Sequence, residues 1–318
     1  MKISLLEPLG ISKELIDELA EPIISAGHEF TYYDEKTTDI EELKRRSAGQ
    51  DIVMIANNPY PAEVVKSADS LKLLAVAFTG IDHVGTDACK EKGITISNCA
   101  GYSEICVSEQ VIGMTIALLR KLSEGDERVR TGGTAAGLAG TEIHGKTVGI
   151  IGCGKIGFMT AKLFQAFGAK VVAVANHERD EVKEAGIEYV TLPELLKNSD
   201  IISLHTPNNV ETRGLIGKEE IDMMMPNAIF INCARGPIVD NAALADALNA
   251  EKIAGAGIDV FDMEPPIPED YPLLHSKNTL LMPHTAFLTK ESMVRRAEIE
   301  FDNVRSFLNG EPKNVCAL

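Results

Sequence analysis

Three polar side chains in the second half of the sequence follow short apolar segments that have the composition of buried strands. Each segment precedes one of them: Ile229–Asn232 precedes Arg235, Gly255–Asp259 precedes Glu264, and Leu280–Met282 precedes His284. Ligands of an open α/β sheet bind beyond the carboxyl ends of its strands, so we expect the three side chains to share one site. Singly, each also has an ordinary explanation, as an ion pair, a solvated loop residue or a strand-end histidine.

The three side chains together fit the reduction of a carbonyl group by a hydride. An arginine holds a carboxylate through two parallel hydrogen bonds. A histidine titrates near neutral pH and can give a proton to the carbonyl oxygen. A carboxylate beside that histidine favours its charged form and orients the ring. The set therefore predicts catalytic roles for Arg235, Glu264 and His284.

The element that would position this chemistry begins at Thr147. An apolar run over Thr147–Ile151 predicts a strand, and the apolar residues after Gly157 recur at helical spacing. Between them, Gly152 permits a tight turn, Gly154 allows a pyrophosphate to approach the backbone, and Gly157 allows close packing of the helix. The pyrophosphate would lie at the helix N-terminus. A chance glycine cluster in a turn is the alternative, and the flanking strand and helix argue against it.

Further strands alternate with helices in the first half, which indicates a parallel sheet there as well. The predicted strands are Lys2–Leu6, Ile52–Ala56, Leu73–Phe78 and Ile94–Ser97, and a helix is predicted over Lys13–Ala20, before Pro22. Polar turns follow two of them, at Asn57–Tyr60 and Thr79–His83, and these turns are placed to line a site. Ordinary surface connections would explain them equally well.

Two long helices organise the remainder. One is predicted over Glu104–Leu122, followed by a glycine-rich arm over Asp126–Gly140. The other begins after the cap residue Thr289 and ends near Gly310. This last helix is predicted to return to the N-terminal part, which gives a domain of residues 1–100 plus 288–318 and a dinucleotide-binding domain of residues 101–287.

Composition excludes several classes of protein. The 318 residues, 45% of them hydrophobic, are enough for two domains. A net charge of −16 argues against nucleic acid as a partner and means that an anion site needs a local cation. No apolar run is long enough for a membrane span, and no signal peptide is visible. Six scattered cysteines without metal-ligand spacing predict reduced thiols, no metal site and a cytoplasmic location.

The sequence resembles the D-isomer-specific 2-hydroxyacid dehydrogenases along nearly its whole length. The matching stretches are Gly145–Gly157, His205–Pro207 with Glu211-Thr212, Asn232–Gly236, Gly257–Phe261 with Glu264-Pro265, and Pro283–Ala286. The resemblance implies an α/β enzyme with a Rossmann-type doubly wound parallel sheet and a second, discontinuous flavodoxin-like α/β domain. It also implies a homodimer formed through the nucleotide domain, with the long helix and the arm contributing.

The resemblance implies a role for each site residue. Arg235 would bind the substrate carboxylate, His284 would be the acid/base, and Glu264 would be the partner of His284. The other implied substrate-binding residues are Asn57, Thr79, Gly80, Ile81 and Tyr102. The implied cofactor-binding residues are Gly152, Gly154, Lys155, Ile156, Gly157, Ala175, Asn176, His177, His205, Thr206, Pro207, Thr212, Cys233, Ala234, Arg235, Asp259 and His284.

Three departures from the family pattern bear on cofactor and substrate. Ala175 stands where an acid would bind the adenosine ribose and repel a 2′-phosphate, so the cofactor is open between NAD and NADP. The loop at Asn57 lacks the arginine common in phosphoglycerate dehydrogenases, which disfavours a phosphorylated substrate. Tyr102 and Phe287 resemble the D-lactate dehydrogenase branch, which hints at a small or apolar 2-oxo acid.

We therefore predict an oxidoreductase that interconverts a small 2-oxo acid and its D-2-hydroxy acid with NAD(P)H. A nicotinamide-sensing corepressor-like binding protein and a phosphoglycerate dehydrogenase are the alternatives. The sequence does not identify the substrate or choose between NAD and NADP.

Overall fold

A computed structural model describes residues 1–317 of the chain. The strands, in chain order, are β1 Lys2–Leu5, β2 Glu29–Tyr32, β3 Ile52–Ile55, β4 Leu73–Val76, β5 Thr95–Asn98, β6 Thr147–Ile151, β7 Lys170–Val174, β8 Glu188–Tyr189, β9 Ile201–Leu204, β10 Ile229–Asn232, β11 Gly255–Ile258 and β12 Thr279–Leu281. The helices are α1 Lys13–Ser25, α2 Ile40–Ser47, α3 Ala62–Ser67, α4 Thr86–Lys92, α5 Glu104–Leu119, α6 Leu122–Arg130, α7 Lys155–Ala166, α8 Asp180–Glu184, α9 Leu192–Asn198, α10 Lys218–Asp222, α11 Asn241–Asn249 and α12 Lys290–Leu308.

The contacts divide the chain into two compact units. Unit 1 contains Met1–Ser103 together with the segment from Leu288 onward, and unit 2 contains Glu104–Phe287. None of the helices over the described residues is long and apolar enough to cross a membrane. The six cysteines are free thiols.

Unit 1 is built on five parallel strands in the order β2-β1-β3-β4-β5. This is the flavodoxin-like order, in which the chain direction across the sheet reverses between β1 and β3. The three central strands are buried along their length except for Lys2. Helix α12 contributes the buried side chains Met293, Ala297, Phe301 and Val304. Thr289 caps it, as predicted, with its hydroxyl accepting the N–H of Ser292.

Unit 2 is built on seven parallel strands in the order β12-β11-β10-β9-β6-β7-β8. Strand order reverses between β6 and β9, so this is the doubly wound Rossmann arrangement. Strands β9, β10 and β11 are fully buried and are covered by helices on both faces. The predicted fold class is confirmed.

Local boundaries differ from the predictions in two helices. The helix expected over Glu104–Leu122 is two helices, because Lys121 has a φ of 51° and turns the chain between α5 and α6. Helix α1, expected to end at Ala20, continues past Pro22 to Ser25. The exposed Pro22 removes only one hydrogen-bond donor, and Ile23 beyond it is buried.

Candidate active site

The glycine turn after β6 has the geometry of a dinucleotide site. Gly152 has a φ of 93°, which a side chain would strain, and its N–H donates to Val174 O at 2.8 Å. A Cβ atom at Gly157 would collide with the carbonyl of Gly152, so α7 packs directly on the turn. A Cβ atom at Gly154 would meet no atom within 4 Å, which leaves open space at the N-terminus of α7. These residues fit a pyrophosphate bound to the first N–H groups of the helix.

The segment after β7 carries the residues expected near the adenosine ribose. Ala175 is half-buried, and Asn176 and His177 are exposed. The guanidinium of Arg179 pairs with Glu181. Its charge also reaches the glycine turn, where burial raises the pKa of the Cys153 thiol to about 11 and Arg179 opposes that shift. Glu181, the partner of Arg179, acts on the same thiol in the opposite direction, so this pair places charges of both signs near the turn.

The loop after β9 is held by its own side chains. The hydroxyl of Thr212 donates to the carbonyl of Pro207 and accepts the N–H of Asn209 at 2.9 Å. His205 shares a hydrogen bond with the Ser203 hydroxyl at 2.8 Å, and burial lowers the pKa of its ring to about 4. At neutral pH His205 is therefore uncharged, so it can shape a cofactor pocket but cannot neutralise a phosphate.

The turn after β10 presents Arg235. Asn232, fully buried, accepts the N–H of Ala234 at 2.9 Å and donates to the carbonyl of Arg235 at 3.0 Å. Gly236 follows directly, and a Cβ atom there would overlap the backbone of Phe261. A glycine is thus required where this turn meets the loop after β11, the loop that carries Glu264. Burial raises the pKa of the neighbouring Cys233 thiol well above its usual value, so this thiol is unreactive.

His284 and Glu264 form a direct pair. Both carboxylate oxygens of Glu264 lie 2.9 Å from Nδ1 of His284, and the Glu264 side chain is 70% exposed whereas that of His284 is 18% exposed. Because Nδ1 faces the carboxylate, Nε2 is the ring nitrogen left for a substrate. The edge of the Phe287 ring meets the histidine, with centroids 5.3 Å apart. The predicted contact between the two side chains is therefore present.

Asp259 fixes the backbone that carries this histidine. His284 has a φ of 57°, an uncommon conformation for a residue other than glycine. Its N–H donates to the carbonyl of Asp259 at 2.8 Å, and the Asp259 carboxylate accepts the N–H groups of Thr285 and Ala286 at 2.8 and 2.9 Å. Burial raises the pKa of Asp259, and these two N–H groups together with His284 oppose that rise. Strained conformations of this kind concentrate at functional sites.

The expected substrate residues of unit 1 lie at the carboxyl edge of its own sheet. Asn57 follows β3 and is exposed; Thr79–Ile81 follows β4. No described residue accepts a hydrogen bond from the backbone N–H groups of Thr79, Gly80 or Ile81, as an anion-binding loop requires. Asn98 holds the loop by donating to the carbonyl of Thr79 at 2.8 Å. Tyr102 is buried, with its ring edge against Phe78.

Sequence reasoning missed several residues that organise the two edges. Asn232 was visible only as part of a motif, and its role as the anchor of the Arg235 turn emerges from its hydrogen bonds. Glu7 and Lys36 were not singled out, although an acid directly after a buried strand was a signal for Glu7.

A cavity of about 570 Å³ in unit 2 lies at the opposite, amino edge of β10, β11 and β12, and contains none of the predicted site residues.

Comparisons with known proteins agree with this geometry. Residues 112–286 match the sequence model of the D-isomer specific 2-hydroxyacid dehydrogenase NAD-binding domain. Hydroxypyruvate reductase of Blautia hydrogenotrophica is 36% identical over 285 residues, which cover 87% of this chain and 88% of that protein. Glycerate dehydrogenase of Methylorubrum extorquens is 39% identical over 298 residues, covering 91% and 92%. Among solved structures, the acyclic imino acid reductase Bsp5 in complex with NADPH and D-Arg is 30% identical, with a TM-score of 0.90 over 100% of both chains.

Proposed function

The chain belongs to the family of D-isomer-specific 2-hydroxyacid dehydrogenases, and we propose that it works as a reductase of small 2-oxo acids without a charged side chain. It is an oxidoreductase that acts on CH–OH donors and uses NAD or NADP. The reaction interconverts a 2-oxo acid and a D-2-hydroxy acid by hydride transfer. The substrate is the finer part of the proposal, and hydroxypyruvate, glyoxylate, pyruvate and branched analogues are its candidates.

The main observation in favour of this reaction is the contact between His284 and Glu264. A bound nicotinamide would supply the hydride to the carbonyl carbon. The negative charge that then develops on the carbonyl oxygen requires a proton from the protein. Nε2 of His284 gives the proton, and Glu264 at 2.9 Å from Nδ1 orients the ring and stabilises its positive charge. In the oxidation direction His284 takes the proton back.

Arg235 holds the substrate carboxylate in this proposal. It pairs with the carboxylate through its guanidinium, a geometry suited to two parallel hydrogen bonds. In unit 1, the backbone N–H groups of Thr79, Gly80 and Ile81 are likewise suited to bind an anion. Because the chain as a whole is acidic, with a net charge of −16, these local donors are what makes anion binding favourable.

For the cofactor, we propose that NADPH binds at least comparably to NADH. Ala175 presents no carboxylate to repel a 2′-phosphate, and Asn176, His177 and Arg179 follow it.

Two alternatives are less well supported. A corepressor-like binding protein would not need His284 and Glu264 in contact, with the histidine backbone held in a strained conformation by Asp259. A phosphoglycerate dehydrogenase would be expected to carry an arginine in the loop at Asn57–Tyr60. That loop has no cation of its own, and the ammonium group of Lys36, which contacts it, donates to the amide oxygen of Asn57.

We further propose a homodimer and a cytoplasmic location. Helix α6 has no buried residue, and its apolar side chains Leu122 and Val129 are 52% and 74% exposed. A second copy of the chain that covers α6 would remove this apolar surface from water. The six free cysteines support a reducing compartment.

A substrate panel tests the reaction. Purified protein is mixed with NADPH or NADH and each of pyruvate, glyoxylate, hydroxypyruvate, a branched 2-oxo acid and 3-phosphohydroxypyruvate, and the oxidation of the reduced nicotinamide is followed. We expect turnover of at least one uncharged compound, with a D-2-hydroxy acid as product. No turnover of any 2-oxo acid, or 3-phosphohydroxypyruvate as the best substrate by a wide margin, would reject the proposal.

A further inference from the structure

A lysine distant in sequence meets the candidate substrate residue Asn57. Lys36 lies between β2 and α2, and its Nζ donates to Oδ1 of Asn57 at 2.9 Å. Asn57 follows β3, at the point where the strand order of unit 1 reverses between β1 and β3. The crevice at such a reversal is where open α/β sheets bind ligands. The contact therefore lies where a ligand of unit 1 is expected.

The chemistry of the lysine determines which way the Asn57 amide is turned. An ammonium group has three donors and no acceptor, so the amide atom that faces it must be the oxygen. Nδ2 is on the other branch of the planar amide and carries two N–H donors away from Lys36. No described residue accepts a hydrogen bond from Nδ2. Asn57 thus presents an oriented donor.

The backbone on either side of Asn57 is anchored by one buried carboxylate. Oε1 of Glu7 accepts the N–H of Ala56 at 2.7 Å and the N–H of Asn58 at 2.8 Å. Glu7 follows β1 and is 1% exposed. The charge of Lys36 is among those that stabilise the ionised form of Glu7. Asn57 is therefore held between two fixed peptide groups, while its own side chain projects from the surface.

The segment that carries Lys36 is fixed as well. The guanidinium of Arg46, a buried residue of α2, donates to the carbonyls of Leu6 and Glu35 at 2.8 and 2.7 Å. It also lies 4.3 Å from the ring centroid of Tyr33. One side chain thus ties the ends of β1 and β2 together next to Lys36. The donor on Asn57 is preorganised, which is what selective recognition requires.

We propose that Asn57 is a specificity-determining residue that selects 2-oxo acids with an oxygen substituent on C3, the carbon next to the carbonyl on the side away from the carboxylate. Lys36 is the residue that positions Asn57. This inference rests on the proposed function. Nδ2 of Asn57 donates to the substrate oxygen, a contact that an alkyl substituent of the same size cannot accept. The loop at 57–60 has no cation of its own, and Lys36 is the cation that contacts it.

Two nearly isosteric substrates test the proposal. Hydroxypyruvate and 2-oxobutanoate differ by a hydroxyl in place of a methyl group, so the ratio of their kcat/KM values measures recognition of that oxygen. We expect the parent to favour hydroxypyruvate by about tenfold or more, since a site built to bind a hydroxyl discriminates against the analogue that lacks it. Asn57→Leu should lower the ratio by about tenfold, mainly through a higher KM for hydroxypyruvate.

Variants of the lysine separate positioning from fold. Lys36→Met frees the amide to turn and should lower the ratio by about threefold, the effect of one weakened hydrogen bond. Lys36→Arg, which also offers only donors, should restore it. Lys72→Met is the matched control, because Lys72 pairs with Asp51 at the amino edge of the same sheet. We expect it to leave the ratio unchanged.

The outcomes distinguish this inference from the proposed function. A parent that reduces both compounds, with a ratio insensitive to Asn57→Leu, overturns the inference alone. An equal fall of the ratio in Lys36→Met and Lys72→Met also overturns it, since the effect would not be specific to the Asn57 contact. A parent that reduces no 2-oxo acid overturns the proposed function instead.

Discussion

His284 shows how much of a site depends on a single backbone conformation. Its position after a strand and its expected catalytic role could be predicted from the sequence, as could those of Arg235 and Glu264. Its φ of 57° could not, because no local pattern around Pro283 demands it. The conformation is held by Asp259, 25 residues earlier in the chain, through hydrogen bonds that only the folded sheet creates.

The contact of Lys36 with Asn57 was hidden for a similar reason. Lys36 lies in a polar stretch that has no strand or helix pattern, and its partner is on a different loop. Sequence reasoning considered only the charges within the loop at 57–60. The cation is Lys36, which follows β2. It can reach Asn57 after β3 because the carboxyl ends of β2, β1 and β3 lie side by side.

At the residue scale, Glu264→Gln should shift the pH dependence of reduction toward acid. Glutamine keeps an oxygen that can accept from Nδ1 of His284, but it lacks the negative charge that stabilises the protonated ring. The protonated form is the active one in reduction, so activity should be lost at a lower pH than in the parent. The measurement is kcat/KM for reduction against pH.

The exposed Glu269→Gln variant is the control for that profile. It removes one negative charge from the same part of unit 2 without touching His284. Superimposable profiles for Glu264→Gln and the parent would show that the carboxylate does not assist the histidine.

Among the elements, those with strong local patterns were predicted well. Strand β6 has the predicted bounds Thr147–Ile151, and α12 has the predicted cap. Four elements of unit 1 were not predicted, namely α2, α3, α4 and β2. In α2, Leu43 is the one buried apolar side chain, so the apolar periodicity is weak, and β2 has no fully buried residue. Both elements are held by their neighbours rather than by their own sequences.

Ala175, in the connection between β7 and α8, is the residue on which the predicted preference between NADPH and NADH depends. Ala175→Asp should lower the kcat/KM ratio for NADPH over NADH by about tenfold, or about 1.4 kcal/mol, because the carboxylate repels the 2′-phosphate. Ala250→Asp, an exposed change elsewhere in unit 2, should leave the ratio unchanged. If the parent already favours NADH by more than about a hundredfold, about 2.8 kcal/mol, the reading of this connection is wrong.

Helix α12 carries a buried acid that makes stability depend on pH. Glu300 is fully buried, and neither of its carboxyl oxygens has a hydrogen-bond partner among the described residues. Burial raises its pKa well above the usual value, Arg296 opposes the rise, and Glu7 adds to it. The folded protein therefore keeps a proton at pH values where the unfolded chain has lost it. The contribution of Glu300 to the free energy of unfolding consequently falls as pH rises from about 4.5, the range in which an unfolded glutamate ionises.

Glu300→Gln should remove that dependence. Relative to the parent, the variant should gain stability between pH 5 and pH 8, by up to about 1.4 kcal/mol for each pH unit over which the folded state alone holds the proton. Denaturant unfolding at several pH values measures this. Glu298→Gln, an exposed change on the same helix, should show no such gain, and a similar gain in both variants would contradict the account.

At the scale of the whole molecule, alternation of strands and helices was enough to predict the fold class. The order of strands across each sheet was not readable from local patterns, because it is set by pairing between segments far apart in sequence. In unit 1 the order brings Glu7 and Asn57 together after β1 and β3, and in unit 2 it brings the glycine turn beside His205 after β6 and β9. These reversals of strand order create the two candidate binding edges.

If the protein forms a homodimer through α6, disruption of the apolar surface of this helix should give a monomer. The double substitution Leu122→Glu and Val129→Glu places charges on the exposed apolar side chains and should convert a dimer to a monomer in light scattering at micromolar concentration. Ile24→Glu changes a side chain that is 51% exposed in unit 1 and should leave the mass unchanged. A parent that is already monomeric, or a double variant that stays dimeric, would contradict the assignment of this surface.

The role of His284 as the proton donor can be measured by kcat for 2-oxo acid reduction in the His284→Ala variant. The side chain is only 18% exposed, so folding of the variant is first checked by its thermal midpoint, and kcat is then compared at saturating cofactor. The account predicts a fall of about 10²–10⁴-fold, the usual effect of losing a general acid. A kcat close to that of the parent would contradict it.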